Sequence, residues 1–169
     1  MLFIRTLIFT LIGPGSILVI IPCLLLSSSV NFPLEAEGLR LLGLVAIVLG
    51  ALIYFWCAWD FALSGRGTPA PWDPPQKLIS ERLYSKMRNP IFVGIILVLV
   101  GEAIVFQSGA LLTYAALMWF GFHLRVVYFE EPTLRRKFGA VYEEYCKTVP
   151  RWIPGSKRSI GAKTKVEKT

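Results

Sequence analysis

The sequence predicts an all-α integral membrane protein: four transmembrane helices at about residues 2–26, 39–63, 91–106 and 110–129, then an amphipathic surface helix over residues 133–149. Three observations carry this. Several apolar runs exceed the length needed to cross a hydrocarbon core of roughly 30 Å. Apolar residues make up 54% of the chain and the mean hydropathy is +0.58, too high for an ordinary soluble domain. The last periodic stretch places Leu134, Phe138, Val141, Tyr142, Tyr145 and Val149 on one helical face, with Arg135, Arg136, Lys137, Glu143, Glu144 and Lys147 on the other, which suits a helix lying on a surface.

A chain of 169 residues has room for one domain, residues 1–154, ahead of a basic, disordered tail at 155–169. The net charge of +7 is not a nucleic-acid signal, because the cations gather in one loop and the tail, where anionic membrane lipids would meet them. Three cysteines without a C-x-x-C and a single histidine argue against a disulfide framework or a zinc site, so no metal is expected.

In the first helix, Gly13-Pro14-Gly15 should produce a kink and Pro22 should weaken the last turns. A cleaved signal peptide is the alternative, disfavoured by the length of the run and the lack of an A-x-A site. The second helix ends on Tyr54, Trp56 and Trp59, an aromatic belt, with Asp60 in its last turn expected to be solvated. The next loop opens with Gly65 and Gly67 and carries Pro69, Pro71, Pro74 and Pro75, so it is not helical; residues 77–87 form a short surface helix at most. Arg66, Lys77, Arg82, Lys86 and Arg88 mark this loop as cytoplasmic, which puts four spans in the inner or plasma membrane with both termini in the cytoplasm. Only Gln107-Ser108-Gly109 separates the third and fourth helices, which therefore form a tight antiparallel hairpin.

The candidate chemistry lies at the ends of that hairpin. His123 and Glu130 differ by roughly −20° along an ideal helix and lie on one face about 10 Å apart. Pro132 disfavours helical geometry at Glu131, so the Glu130–Glu131 pair should sit at a break before the surface helix. Adjacent carboxylates repel unless a cation or hydrogen-bond donors hold them, and Arg88, Arg125 and Arg151 are available partners. Pro90 suits the first turn of the third helix, whose N-terminus favours an anion beside Arg88 and Asn89. Gly94 and Gly101 allow either close helix approach or access for a ligand. Arg151, between Pro150 and Trp152, carries a fork that takes a carboxylate bidentately.

In order, Arg88-Asn89-Pro90-Ile91-Phe92-Val93-Gly94, Glu130-Glu131-Pro132-Thr133-Leu134, Phe138-Gly139-Ala140-Val141-Tyr142-Glu143-Glu144-Tyr145 and Val149-Pro150-Arg151 resemble the isoprenylcysteine carboxyl methyltransferase family, grouped with the phospholipid methyltransferases. The resemblance covers about 90 residues, 65–154; the first two helices match only in hydropathy. It implies an integral-membrane enzyme that transfers a methyl group from S-adenosylmethionine to a lipid-embedded acceptor, with membrane lipids as surroundings. It further implies a cofactor set of Arg88, Asn89, Pro90, Gly94, His123, Glu130, Glu131 and Tyr142, and Arg151 and Glu131 as catalytic residues. Arg151 would orient an acceptor carboxylate; Glu130 or Glu131 would accept a proton from an amine acceptor. The acceptor is expected to be a carboxylate like that of isoprenylcysteine; a phospholipid amine, a thiol, or a non-enzymatic scaffold or transporter subunit are the alternatives. The chain departs from the family at Asn89, where histidine is usual, at Phe92, where a tyrosine hydroxyl is lost, and at Arg82-Leu83, where Gly-Pro is frequent before Tyr84.

Overall fold

In a computed structural model, which describes residues 13–28, 33, 37–64, 78 and 80–155, the chain is helical throughout, with no strand among those residues. Helix α1 spans Gly13–Ser27, α2 Arg40–Ser64, α3 Pro90–Val105, α4 Gly109–Arg125, α5 Glu131–Phe138 and α6 Ala140–Thr148. Gly13-Pro14-Gly15, where a kink is expected, form the helical start of α1, directly before a π-turn; residues 2–12 of the first predicted helix, most of the loop after α2 and nearly all of the basic tail lie outside the described residues. Two helices, Arg40–Asp60 and Gly109–Phe138, are long and apolar enough to cross a membrane, and Gly13–Ser27 and Pro90–Val105 are shorter apolar helices.

The helices pack side by side, α2 on α3, α3 on α4, and α1 against both α3 and α4. The core is thin: Tyr54, Ala58, Ile95, Leu99, Ala115 and Phe122 bury themselves in it. Large apolar side chains point outward instead, among them Leu41, Val48, Leu52 and Phe55 on α2 and Leu117 and Phe120 on α4. In water this surface would be costly; in hydrocarbon it is the expected outer face.

The closest helix contact is not the expected hairpin of α3 and α4 but the α2–α3 pair. An added Cβ at Gly50 would lie 2.6 Å from the Gly94 carbonyl oxygen, and one at Gly94 2.8 Å from that of Gly50. Gly43 and Gly101 repeat the arrangement, at 2.9 Å and 2.7 Å. The two pairs are seven residues apart on each helix, in antiparallel register. Small residues let backbones approach where apolar side chains gain nothing by leaving lipid. At Gly94 the missing side chain serves helix packing.

Two π-turns shape the remainder. Ser16–Ile20 precedes Pro22, and Val126–Glu130 precedes Pro132. In each, an N–H bonds five residues back: Ile21 to the Ser16 carbonyl and Glu131 to the Val126 carbonyl. A proline ring clashes with the carbonyl four residues before it, and widening the preceding turn relieves the clash without ending the helix. Hence the expected break at Pro132 is absent: α4 runs through the π-turn into α5 as one continuous helix of 30 residues. The break comes later. Gly139, at φ 51°, divides the predicted 133–149 surface helix into α5 and α6. The described part of the predicted 77–87 helix is only a 3-10 turn, Arg82–Ser85.

The glycine seam makes a direct prediction. Gly50→Ala should lower stability by about 1–3 kcal/mol, the usual cost of overpacking. Gly121→Ala, where nothing lies within 4 Å of an added Cβ, should be neutral or gain up to about 1 kcal/mol of helix propensity. Thermal unfolding of the purified variants in one detergent checks both.

Candidate functional site

Two stretches far apart in sequence are zipped together at one end of the bundle. The Arg88 N–H donates to the Pro150 carbonyl at 2.9 Å, and the Gly155 N–H to that of Lys86 at 3.3 Å. The Asn89 amide donates to the Arg151 carbonyl at 3.1 Å. Asn89 is buried and stands at the N-cap of α3, but its side chain makes no cap bond because it is spent on this closing segment. Pro90 follows, fully buried, where its missing N–H costs the helix nothing.

Glu131 lies at the centre of what this zipper assembles. Arg151 takes it bidentately, Nε to Oε1 at 2.6 Å and Nη2 to Oε2 at 3.1 Å. Arg88 Nη1 reaches the same Oε1 at 3.1 Å and donates to Cys146 Sγ at 2.7 Å. The carboxylate is 7% exposed, Arg88 11% and Arg151 31%, so the group sits half in and half out of the protein. The hydrogen bonds to Glu131 hold the Arg151 guanidinium more firmly charged than usual.

The π-turn decides which glutamate occupies this place. On an ideal helix the seventh residue after His123 returns to its face, which selects Glu130. The π-turn adds one residue to the turn, so the eighth, Glu131, takes that face. Glu130 swings aside to pair with Arg125 at 2.9 Å, and the two are about one-third exposed.

Around Glu131 stand the tyrosines of α6. Tyr142 is buried and its hydroxyl pKa is pushed up, by burial first and then by Cys146 and Glu131. Tyr145 donates to the Tyr84 carbonyl at 2.6 Å, tying α6 to the turn before α3. Burial likewise raises the pKa of Tyr145 and of Tyr84. All three remain neutral donors at neutral pH.

His123 is placed beside the Glu131 cluster. Its ring stacks on Trp119 at 5.5 Å and lies 6.0 Å from Trp152, whose indole N–H donates to Nδ1 at 3.3 Å. Phe92, the position without the tyrosine hydroxyl, stacks on Phe122 at 4.6 Å and lies under the Arg125 guanidinium at 5.9 Å. An aromatic face is what an arginine can use there.

Sequence reasoning missed Asp60. It is buried rather than solvated and pairs with Arg82. Arg82 has φ 53°, a left-handed conformation that glycine adopts without strain. The signal was present: this is where the resembling family often has glycine, and here an arginine takes that backbone while gripping a buried carboxylate. Cys146, Trp119 and Trp152 were also missed. Trp119 is one helical turn before His123 and Trp152 is next to Arg151, so spacing alone could have nominated both.

The site thus gathers Arg88, Asn89, Pro90, Glu131, Tyr142 and Arg151 closely, with His123 and Glu130 alongside, and leaves out Gly94. Residues 39–141 match the profile described as phospholipid methyltransferase. The chain belongs to the phospholipid methyltransferase family. A stretch of 79 residues is also 33% identical to protein-S-isoprenylcysteine O-methyltransferase B of Arabidopsis thaliana, covering 46% of this chain and 40% of that protein. The family match contains Arg88, Asn89, His123, Glu130 and Glu131 and ends just before Tyr142.

For a family member the charge balance here is informative. Two guanidiniums on one carboxylate leave one net positive charge, and Arg88 Nε is buried with no hydrogen-bond partner. A buried donor of that kind is costly unless a ligand takes it. An anionic group, such as the carboxylate of an amino-acid-bearing cofactor, fits both features. No group of three or more metal-ligating side chains occurs among the described residues.

Two outcomes follow from this geometry. Glu131→Gln leaves two arginines without their counter-charge and should cost about 3–5 kcal/mol of stability, as when a buried pair is broken. Glu130→Gln, at a half-exposed pair, should cost under about 1 kcal/mol; denaturant unfolding in detergent measures the difference. The raised tyrosine pKa values set an alkaline limit. Unfolded tyrosine ionises near pH 10 while Tyr84, Tyr142 and Tyr145 keep their protons. Above about pH 10 the unfolded state therefore binds fewer protons, so stability is full below that pH and falls as pH rises. Tyr142→Phe should make the fall shallower.

Proposed function

We propose that this protein is an integral-membrane, S-adenosylmethionine-dependent methyltransferase whose acceptor is a lipid-embedded carboxylate of the isoprenylcysteine kind. The observation that carries this is the Arg88–Glu131–Arg151 cluster, with its surplus positive charge at the polar end of apolar helices. The family match and the Arabidopsis relative support the reaction class.

The cluster also bears on the acceptor. An amine acceptor is protonated at neutral pH and needs a base to accept its proton. Here Glu131 is enclosed by two guanidiniums, Glu130 pairs with Arg125 and Asp60 with Arg82. His123 Nδ1 is already taken by an indole N–H. A carboxylate needs no base; it is an anion at neutral pH and requires only placement and loss of water. Glu131 then acts as the anchor that holds both arginines, instead of as a proton acceptor. Arg151, with three of its five N–H donors left over from the Glu131 fork, orients the acceptor. Arg88 Nε, Asn89, Tyr142, His123 and the half-exposed Glu130 line the place for S-adenosylmethionine, which when bound supplies an electrophilic methyl group.

A water-soluble cofactor and a lipid acceptor must meet at the membrane boundary. We place the four helices α1–α4 across the membrane, both termini and the cluster on the cytoplasmic side, with α5 and α6 at the surface. The basic Arg82, Lys86 and Arg88, against few basic residues at the opposite end, support this orientation. Cysteine-accessibility labelling of a single cysteine introduced at Lys86 should succeed only from the cytoplasmic side.

Calorimetric titration of the purified protein with S-adenosylhomocysteine tests the function. Saturable one-to-one binding is expected, and its absence would overturn the reading. Arg151→Lys should keep most of that affinity but lose turnover of a prenylcysteine acceptor by roughly tenfold or more, because a point charge cannot replace the planar fork. Methylation of a phosphatidylethanolamine headgroup in the same assay, with none of the prenylcysteine, would replace the carboxylate acceptor by an amine.

A further inference from the structure

Arg151 and Trp152 are neighbours in the closing segment, and each grips the long α4–α5 helix at a different point. Arg151 holds Glu131 and Trp152 holds His123. The segment itself is fixed by backbone bonds from Arg88 and Gly155 and by the Asn89 side chain. The indole is therefore not a free rotor that happens to meet an imidazole; it is presented to it. Trp119 stacks on the same ring at 5.5 Å.

An indole N–H only donates. The nitrogen it meets must then be the one without a proton, and the neutral imidazole carries its proton on the other. Trp152 donates to Nδ1. Nε2 consequently bears the hydrogen, and no described residue bonds to it. The ring is only half-buried, which suits an Nε2–H that a ligand can reach.

We propose that Trp152 is the positioning residue of the site: it fixes His123 as the Nε2–H tautomer, a hydrogen-bond donor aimed at an anionic or carbonyl oxygen of the bound cofactor or acceptor. This rests on the function proposed above and gives His123 a definite part in it. The ring supplies a donor and not a base, in keeping with an acceptor that arrives as an anion. It also explains why a tryptophan follows Arg151: one residue sets the guanidinium and the next sets the imidazole, so a single segment orients both donors.

The chain has one histidine, so protein labelled with nitrogen-15 at histidine gives the spectrum of His123 alone. In nanodiscs at pH 8 without ligand, the expected pattern is one tautomer, Nε2 protonated and Nδ1 bare. Trp152→Phe keeps the ring packing and removes the donor; its spectrum should shift toward an average of the two tautomers. Trp119→Leu, which removes the stack and leaves the Trp152 donor in place, should keep the wild-type tautomer. Addition of S-adenosylhomocysteine should move the Nε2 resonance, and Trp152→Phe should weaken that binding several-fold. A proton on Nδ1 in the wild type, or an unchanged spectrum in Trp152→Phe, overturns the proposal, and the wild-type spectrum decides the first without any variant having to fold. If S-adenosylhomocysteine binds and Nε2 does not move, the donor role is wrong. If it does not bind at all, the functional reading fails, while the tautomer assignment, measured without ligand, stands.

Discussion

A carboxylate enclosed by two guanidiniums at the edge of a membrane is the interaction on which the polar end of this protein depends. Glu131 comes from the end of the longest helix, Arg88 from the loop that enters α3, and Arg151 from the segment that closes the chain. Backbone bonds and the Asn89 side chain join the loop to the closing segment, and Trp152 joins that segment to the helix through His123. The apolar core reaches this end too, where Phe122 belongs to it and Phe92 and Trp152 pack against it. Removing the carboxylate leaves two guanidiniums uncompensated in a partly dry setting, which is why such clusters hold a geometry firmly even where they add little net stability.

The bundle that carries this cluster is shaped by residues that remove atoms rather than add them. Gly43, Gly50, Gly94 and Gly101 let α2 and α3 touch along their backbones. Pro22 and Pro132 each widen the turn ahead of them instead of breaking the helix. The second of these has a chemical consequence, because one extra residue in a turn exchanges which of two adjacent glutamates faces His123 and the arginines. A membrane protein has little hydrophobic driving force between its helices, so packing geometry and small shifts in register do more of the shaping than they would in water.

Chemistry at this end benefits from its position. The aromatic set of Trp119, His123, Trp152, Phe92 and Phe122 borders the charged set, so a ligand would meet apolar ring faces on one side and guanidinium donors on the other. Such a boundary suits the proposed acceptor, with its greasy chain and small anionic head. The tie between Asp60 and Arg82 and the bond from Tyr145 to the Tyr84 carbonyl anchor the loop before α3 from two sides, keeping Arg88 in place.

The sequence by itself determined the helical class, the order of the elements and the residue types of the site. Hydropathy and helical period depend only on local composition, and the ordered Arg-Asn-Pro, Glu-Glu and Pro-Arg pieces are visible in one dimension. It also placed Arg88-Asn89-Pro90 at a helix start, but it set the glutamate pair at a break that the continuous Gly109–Phe138 helix does not have. What it could not determine was pairing. Whether Glu130 or Glu131 faces His123 depends on a turn widened by Pro132, and an ideal helix gives the wrong one. Whether Gly94 serves a ligand or a neighbouring helix depends on Gly50, more than forty residues away. Whether Asp60 is solvated depends on Arg82, in a backbone conformation no propensity would assign to arginine. Burial and charge compensation are properties of groups brought together from distant parts of the chain, so only the tertiary structure decides them.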